Sequence, residues 1–126
     1  MSKKIKEDEQ INTNIERDKK IKANISKYKK IFKNIDNDKK VFIEKLYVEA
    51  AFMEVTLSDL QEQIKKAGAV FVAKNGNGFD ITQEHPAQGS YNRMIKNYNT
   101  IMKTLIEYIP EEQDTDELLQ FLNKGK

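Results

Sequence analysis

The chain of 126 residues contains no cysteine and only one histidine, His85. Without cysteine the protein can form no disulfide framework, no cysteine-bound iron–sulfur cluster and no thiol nucleophile. A single histidine cannot build a His-rich metal site, and it leaves little room for Ser/His catalysis. We therefore expect no metal, no other cofactor and no enzymatic activity.

Long apolar segments are also missing from the sequence. No apolar run approaches the ~20 residues that a membrane-spanning helix needs. Residues 1–10 lack the apolar segment of a signal peptide. We expect a soluble protein of the cytoplasm without a membrane partner.

The charged residues are distributed unevenly along the chain. The 22 basic and 20 acidic residues give a formal net charge of +2. Residues 1–40 hold thirteen Lys or Arg against seven Asp or Glu, a balance of +6 that leaves −4 for the remainder. The chain is therefore basic at its beginning and acidic at its end.

The first helix is predicted to begin near Ile11. Residues 1–10 are polar and show no apolar periodicity, so we expect them to be frayed or disordered. Beyond them, apolar residues recur at spacings of three and four and form one helical stripe. These residues are Ile21, Ile25, Tyr28, Phe32 and Ile35. Lys, Asn, Ser and Asp fill most of the other positions, which predicts a strongly basic opposite face.

A second helix is predicted from about Lys39 to Ala67, where the same apolar spacing continues. Asn and Asp residues just before it predict a turn at about 35–38, with Asp36 or Asp38 as the helix N-cap. Gly68 follows two lysines, and a glycine in this position commonly ends a helix.

Two short strands are predicted after this helix, at 69–73 and 79–82, because both segments are rich in β-branched and aromatic residues. The sequence KNGNG between them favours a hairpin turn, since Asn and Gly tolerate positive φ. The apolar support of this hairpin is predicted to consist of Val70, Phe71, Val72, Phe79 and Ile81. A phosphate loop or calcium loop is the alternative, but the glycine spacing and the scarcity of carboxylates argue against both.

The third helix is predicted to run from Pro86 to Ile109, between a proline that suits a first helical position and Pro110. His85 is interpreted as the residue that starts this helix. Residues 111–126 are acidic. Four of their apolar residues predict a short amphipathic helix or a docking segment, namely Leu118, Leu119, Phe121 and Leu122.

The predicted fold is mainly α-helical. The second and third helices should form a long antiparallel hairpin with the small β-hairpin at its tip, preceded by the basic N-terminal helix. We divide the chain into a basic segment at 1–37, a helical core at 38–110 with the β-hairpin at 69–82, and an acidic tail at 111–126. The wide apolar stripes favour homo-oligomerisation as well as internal packing.

Lysines around the first helix and the turn are the most informative chemical feature, because lysine clusters bind phosphates by charge. The candidate DNA-binding residues are Lys19, Lys20, Lys22, Lys27, Lys29, Lys30, Lys33, Lys39 and Lys40. Further candidates are Lys65, Lys66, Lys74 and Arg93. The alternative is a solvated lysine-rich helix. Arginine is scarce, which argues against tight reading of bases.

Three carboxylates lie among apolar residues of the second helix, at Glu44, Glu49 and Glu54. We interpret them as solvated or paired with lysines. Burial of Glu49 and Glu54 at a subunit contact is the alternative. No carboxylate is expected to have a clearly shifted pKa.

Three segments together resemble a known family. They are FIEKLYVEAAFMEVTLSDLQEQIKKAG, the KNGNG hairpin and HPAQGSYNRMIKNYNTIMKTL, and the similarity covers about residues 38–110. In this order they are similar to the small subunit of phage terminases, in the short variety from phages of low-GC Gram-positive bacteria. One departure is His85, where the family pattern leads us to expect Asn.

The resemblance implies a non-catalytic subunit of a cyclic homo-oligomer. Such subunits bind viral double-stranded DNA, then recruit and regulate the large terminase subunit, which is the ATPase and nuclease of genome packaging. The host cytoplasm would be the location if the chain is phage-encoded. The alternative is a coiled-coil interaction or assembly protein without DNA binding.

Overall fold

The computed structural model describes residues 2–68 and 70–110, and within them the chain forms three α-helices and one two-stranded antiparallel sheet. The elements are α1 (Ser2–Ile31), α2 (Asn37–Ala67), β1 (Val70–Lys74), β2 (Asp80–Glu84) and α3 (Pro86–Glu107). The predicted fold class is thereby confirmed. The predictions for residues 111–126 lie outside the described residues.

Helix α1 begins earlier and ends earlier than predicted. It starts at Ser2, so the expectation of a frayed or disordered segment is wrong for residues 2–10. Residues 6–16 are exposed, and the helix there contains no Gly or Pro and several Lys, Glu and Gln, which are strong helix formers. Intrinsic propensity rather than packing therefore supports this part of the helix. A turn at 32–36 follows α1, slightly before the predicted position.

Helix α2 packs against both α1 and α3. Its N-cap is Asp36, one of the two predicted candidates, although the carboxylate makes no capping hydrogen bond. At the other end Gly68 has a φ of +83°, and its N–H donates to Ile64 O at 2.7 Å. The positive φ explains why a glycine ends this helix.

The contacts between α2 and α3 show an antiparallel hairpin. At one end the Phe42 and Tyr108 rings meet edge to face, 6.3 Å between centroids. At the other end Gln61 Nε2 donates to Tyr91 OH at 3.1 Å. Helix α1 is also antiparallel to α2, because Arg17 contacts Thr56 whereas Phe32 stacks near Tyr47.

The core lies where the three helices meet. Tyr28, Ile43 and Leu105 come from α1, α2 and α3 respectively, and their side chains are fully buried. The Tyr28 and Tyr47 rings stack almost parallel, 5.8 Å between centroids. The other buried core residues are Ile31, Phe32, Ala50, Ala51 and Met102. The stripe predicted for the first helix thus does pack inward.

The β-hairpin pairs Val70 with Glu84 and Lys74 with Asp80. Its position between α2 and α3 is as predicted. Its apolar side chains are more exposed than expected: Val70, Val72 and Phe79 are all largely open to solvent. The prediction that they form an apolar support is therefore wrong for these three residues, whereas Ile81 is half-buried.

Candidate nucleic-acid interface

The predicted lysines of α1 divide between two sides of the helix. At 100° per residue, the exposed Lys19, Lys22 and Lys30 fall on the side opposite the buried Tyr28, and the exposed Lys29 lies about 20° from Lys22 at the edge of the same arc. Lys20 and Lys27 are also exposed but lie on the other flank of the helix. Four of the six predicted α1 lysines therefore share one arc of the helix surface.

The turn after α1 and the start of α2 carry three more of the predicted lysines. Lys33 lies in the turn after α1, and Lys39 and Lys40 lie in the first turns of α2. All three side chains are exposed. Lys39 Nζ stands 5.7 Å from the centroid of the Tyr108 ring, a cation–π distance that links the start of α2 to the end of α3. We name Lys19, Lys22, Lys29, Lys30, Lys33, Lys39 and Lys40 the lysine surface.

The lysine surface has little compensating charge. Residues 19–33 contain seven lysines and no Asp or Glu. Ion pairs within 4.0 Å between described residues join Arg17 to Asp59 and Lys65 to Glu62, and neither uses a residue of the lysine surface. Exposed positive charges concentrated along one helix create the kind of potential that attracts polyanions.

The additional candidates do not join the lysine surface. Lys65, Lys66, Lys74 and Arg93 lie at or near the β-hairpin end of the molecule. Along α2, Lys40 and Lys65 are separated by about 37 Å at 1.5 Å per residue. Lys65 is also 3.8 Å from Glu62. A single compact phosphate contact cannot include both groups.

Arg17 has a structural role that the sequence did not reveal. Its Nη2 donates to Thr56 Oγ1 at 2.5 Å, and its Nε lies 3.3 Å from Asp59 Oδ2. The second contact is an ion pair without hydrogen-bond geometry, since Nε has no hydrogen-bond partner. The guanidinium also lies over the Phe52 ring, 5.5 Å from its centroid. The Arg17 side chain thus stabilises the packing of α1 against α2.

A buried carboxylate lies on the core side of α1. Tyr28 OH donates to Glu54 Oε2 at 2.5 Å, and Tyr98 OH donates to the same oxygen at 2.8 Å. Tyr28 OH also lies 3.5 Å from Met102 Sδ. Glu54 Oε1 is buried and has no hydrogen-bond partner. One carboxylate therefore connects all three helices.

Burial raises the pKa of Glu54 above its ordinary value, while the hydrogen bonds from Tyr28 and Tyr98 and the charge of Lys27 act to lower it. Burial and the adjacent carboxylate also raise the phenol pKa values of both tyrosines. The expectation that no carboxylate has a shifted pKa is thus wrong for Glu54. The available signal was its position in the apolar stripe, four residues after Ala50.

The KNGNG segment is a turn. Asn75 Oδ1 accepts hydrogen bonds from the backbone N–H groups of Asn77 at 2.9 Å and Phe79 at 3.1 Å, and Gly78 has a φ of +84°.

His85 starts α3 as predicted, because its Nδ1 accepts from Ala87 N–H at 3.0 Å. In the described ranges no group of three or more His, Cys, Asp or Glu is placed to hold a metal ion.

Comparisons of the chain with protein-family models, with curated proteins and with solved structures found no match. Within residues 2–68 and 70–110, none of the helices combines the length and the apolar character needed to cross a bilayer.

Proposed function

We propose that this protein is a non-catalytic assembly subunit that binds double-stranded DNA through the lysine surface, in the manner of the phage terminase small subunits that residues 38–110 resemble. In this proposal the chain forms a cyclic homo-oligomer in the host cytoplasm. It recruits and regulates a large ATPase–nuclease subunit during genome packaging.

The observation that carries the DNA-binding part is the unpaired charge of the lysine surface. Seven lysines with no ion pair among the described residues would be costly to keep together unless a polyanion or solvent ions neutralise them. DNA phosphates that bind such a surface release their condensed counter-ions, and this release favours binding. Lysine is a point charge without the forked geometry of arginine, so the contacts would position DNA rather than read its sequence.

The non-catalytic part rests on the chemistry of the titratable groups. The carboxylate with a raised pKa, Glu54, is held between two phenols inside the helix core. Its hydrogen bonds serve packing between the helices. A structural role for this carboxylate is therefore the simpler explanation.

A salt titration of DNA binding tests the proposal. Each phosphate contact contributes about 0.9 to the slope of log K against log salt concentration. Replacing Lys22, Lys29 and Lys33 with Gln should lower the slope by about 2.7 and weaken binding equally to unrelated DNA sequences. The matched control replaces Lys65, Lys66 and Lys96 with Gln, which changes the net charge by the same amount away from the lysine surface.

Three results would count against this proposal. Equal losses in the two triple variants would mean that net charge alone, not the lysine surface, attracts DNA. Absence of DNA binding by the unmodified protein at low salt would favour the alternative, an interaction or assembly protein of the coiled-coil type. A monomer at micromolar concentration in analytical ultracentrifugation would contradict the ring.

A further inference from the structure

An exposed apolar groove lies on the first half of α2. It is lined by Val41, Glu44, Lys45 and Val48 and has a volume of about 330 Å³. Val41 is 64% exposed and Val48 is 38% exposed. Apolar side chains seven residues apart on one helix face are typical of a surface that another segment covers.

Phe42 extends this apolar surface toward the end of α3. Its ring is 52% exposed and meets the edge of Tyr108. Tyr108 is two residues before Pro110, where the described part of the chain stops. The chain therefore leaves α3 beside the apolar surface of α2.

The sequence that follows Pro110 has the composition that the groove and its surroundings require. Residues 111–117 contain five carboxylates, and residues 118–122 contain four apolar side chains in five positions. Residues 39–45 of α2, which include part of the groove lining, contain three lysines and one carboxylate, a balance of +2. The C-terminal sequence thus supplies an acidic stretch followed by an apolar stretch, and α2 offers lysines beside exposed apolar side chains.

The distances allow this segment to reach the groove. Seven residues between Pro110 and Leu118 span up to about 23 Å when extended. The width of a helix with its side chains is about 10–12 Å, and Val41 and Val48 are about 10 Å apart along α2. The path around the start of α2 is therefore within reach without any change in the helices.

We propose that residues 111–126 dock in cis on this groove, with Leu118–Leu122 covering Val41 and Val48 and the acidic stretch lying against Lys39 and Lys40. The docked segment neutralises part of the lysine surface and competes with DNA for it. The competition rests on the proposed DNA-binding function, whereas the docking itself does not. The C-terminal segment thus acts as an intramolecular inhibitor of phosphate binding.

Disulfide trapping tests the docking directly, because the chain has no native cysteine. The full chain carrying Val48→Cys and Leu122→Cys is oxidised under mild conditions, and the bond is mapped by mass spectrometry. The control carries Thr100→Cys and Leu122→Cys, since Thr100 is an exposed α3 residue at a comparable distance from Pro110. Docking raises the effective concentration of the thiols, so the groove pair should form its intrachain bond at least about tenfold faster than the control.

Equal rates for the two pairs would overturn the docking proposal. A bond that forms between chains, with a rate that rises with protein concentration, would also overturn it and would identify a second copy as the occupant. Far-UV circular dichroism of both reduced proteins checks that the exposed substitutions leave the helices intact.

DNA binding then tests the competition separately. Leu119→Ser with Leu122→Ser should increase DNA affinity at low salt by about fivefold or more, whereas Gln120→Ser should leave it unchanged. If the disulfide forms and no variant binds DNA, the docking stands and the proposed DNA function fails. If DNA binds with the same affinity in all variants, the segment does not compete and the inhibitory role is refuted.

Discussion

Replacing Tyr28 with Phe should destabilise the protein, and the loss should grow as pH rises. The fully buried Tyr28 hydroxyl donates to Glu54 Oε2 at 2.5 Å. A hydrogen bond to a charged group contributes about 1.5–3 kcal/mol, whereas a neutral one contributes about 0.5–1.5 kcal/mol. We therefore expect a cost of about 1.5–3 kcal/mol when Glu54 is ionised and about half of that when it is protonated.

The direction of this pH dependence follows from the pKa of Glu54. The hydrogen bond from Tyr28 lowers that pKa, against the larger effect of burial. Removing the hydroxyl raises the pKa of Glu54 further, so the folded variant resists ionisation more than the wild type does. Both proteins lose stability as pH rises above the ordinary value of 4.5, and the extra cost of the variant appears as pH rises through the raised pKa of Glu54 in the folded wild type.

Urea unfolding followed by far-UV circular dichroism at pH 4.5 and pH 8 measures the free energy of unfolding in both states. Tyr91→Phe is the control, because Tyr91 OH only accepts a hydrogen bond from the exposed Gln61. The control should change stability by less than about 0.5 kcal/mol. The same loss for Tyr28→Phe at the two pH values, or a loss no larger than that of the control, would refute this account of the buried carboxylate.

Three further predictions follow from other contacts. Glu54→Gln should gain stability relative to the wild type as pH rises from 4 to 8. The wild type must ionise a buried carboxyl with a raised pKa over this range, whereas the variant has no ionisable group at this position. A difference in unfolding free energy that does not change with pH would contradict this prediction. Arg17→Met should lower stability by about 0.5–1.5 kcal/mol, since it removes a half-exposed ion pair and a hydrogen bond but keeps apolar contact with Phe52. Arg93→Met is the control in the same thermal or urea assay. Gly78→Ala should speed amide exchange in the β-hairpin, because a positive φ costs an alanine about 1–2 kcal/mol. Gly76→Ala is the control and should leave the exchange rates unchanged, so equal acceleration in the two variants would contradict this account.

Helix boundaries and the hairpin were predictable because their signals are local. Gly68 ends α2 through its own positive φ, and Pro86 opens α3 without losing a needed N–H. The Asn and Gly residues between the strands determine a turn by their backbone preferences. Each signal acts within a few residues, so a sequence displays it directly.

The start of α1 was harder to predict, although it too is local. The segment 2–10 lacks an apolar stripe, and periodicity therefore gave no indication of a helix. Helix propensity summed over Lys, Glu and Gln predicts it better than amphipathicity does, because no packing partner shapes an exposed helix.

By itself, the sequence determined the helical class, the antiparallel order of α2 and α3, and the concentration of positive charge in residues 19–40. Only the tertiary structure decided which charged side chains are exposed to solvent and which make contacts between the helices. Arg17 reaches Thr56 across 39 positions, and Glu54 meets Tyr28 and Tyr98 across 26 and 44 positions. Such contacts depend on how the helices are rotated and shifted against one another, and the local backbone preferences that set each helix do not specify that geometry.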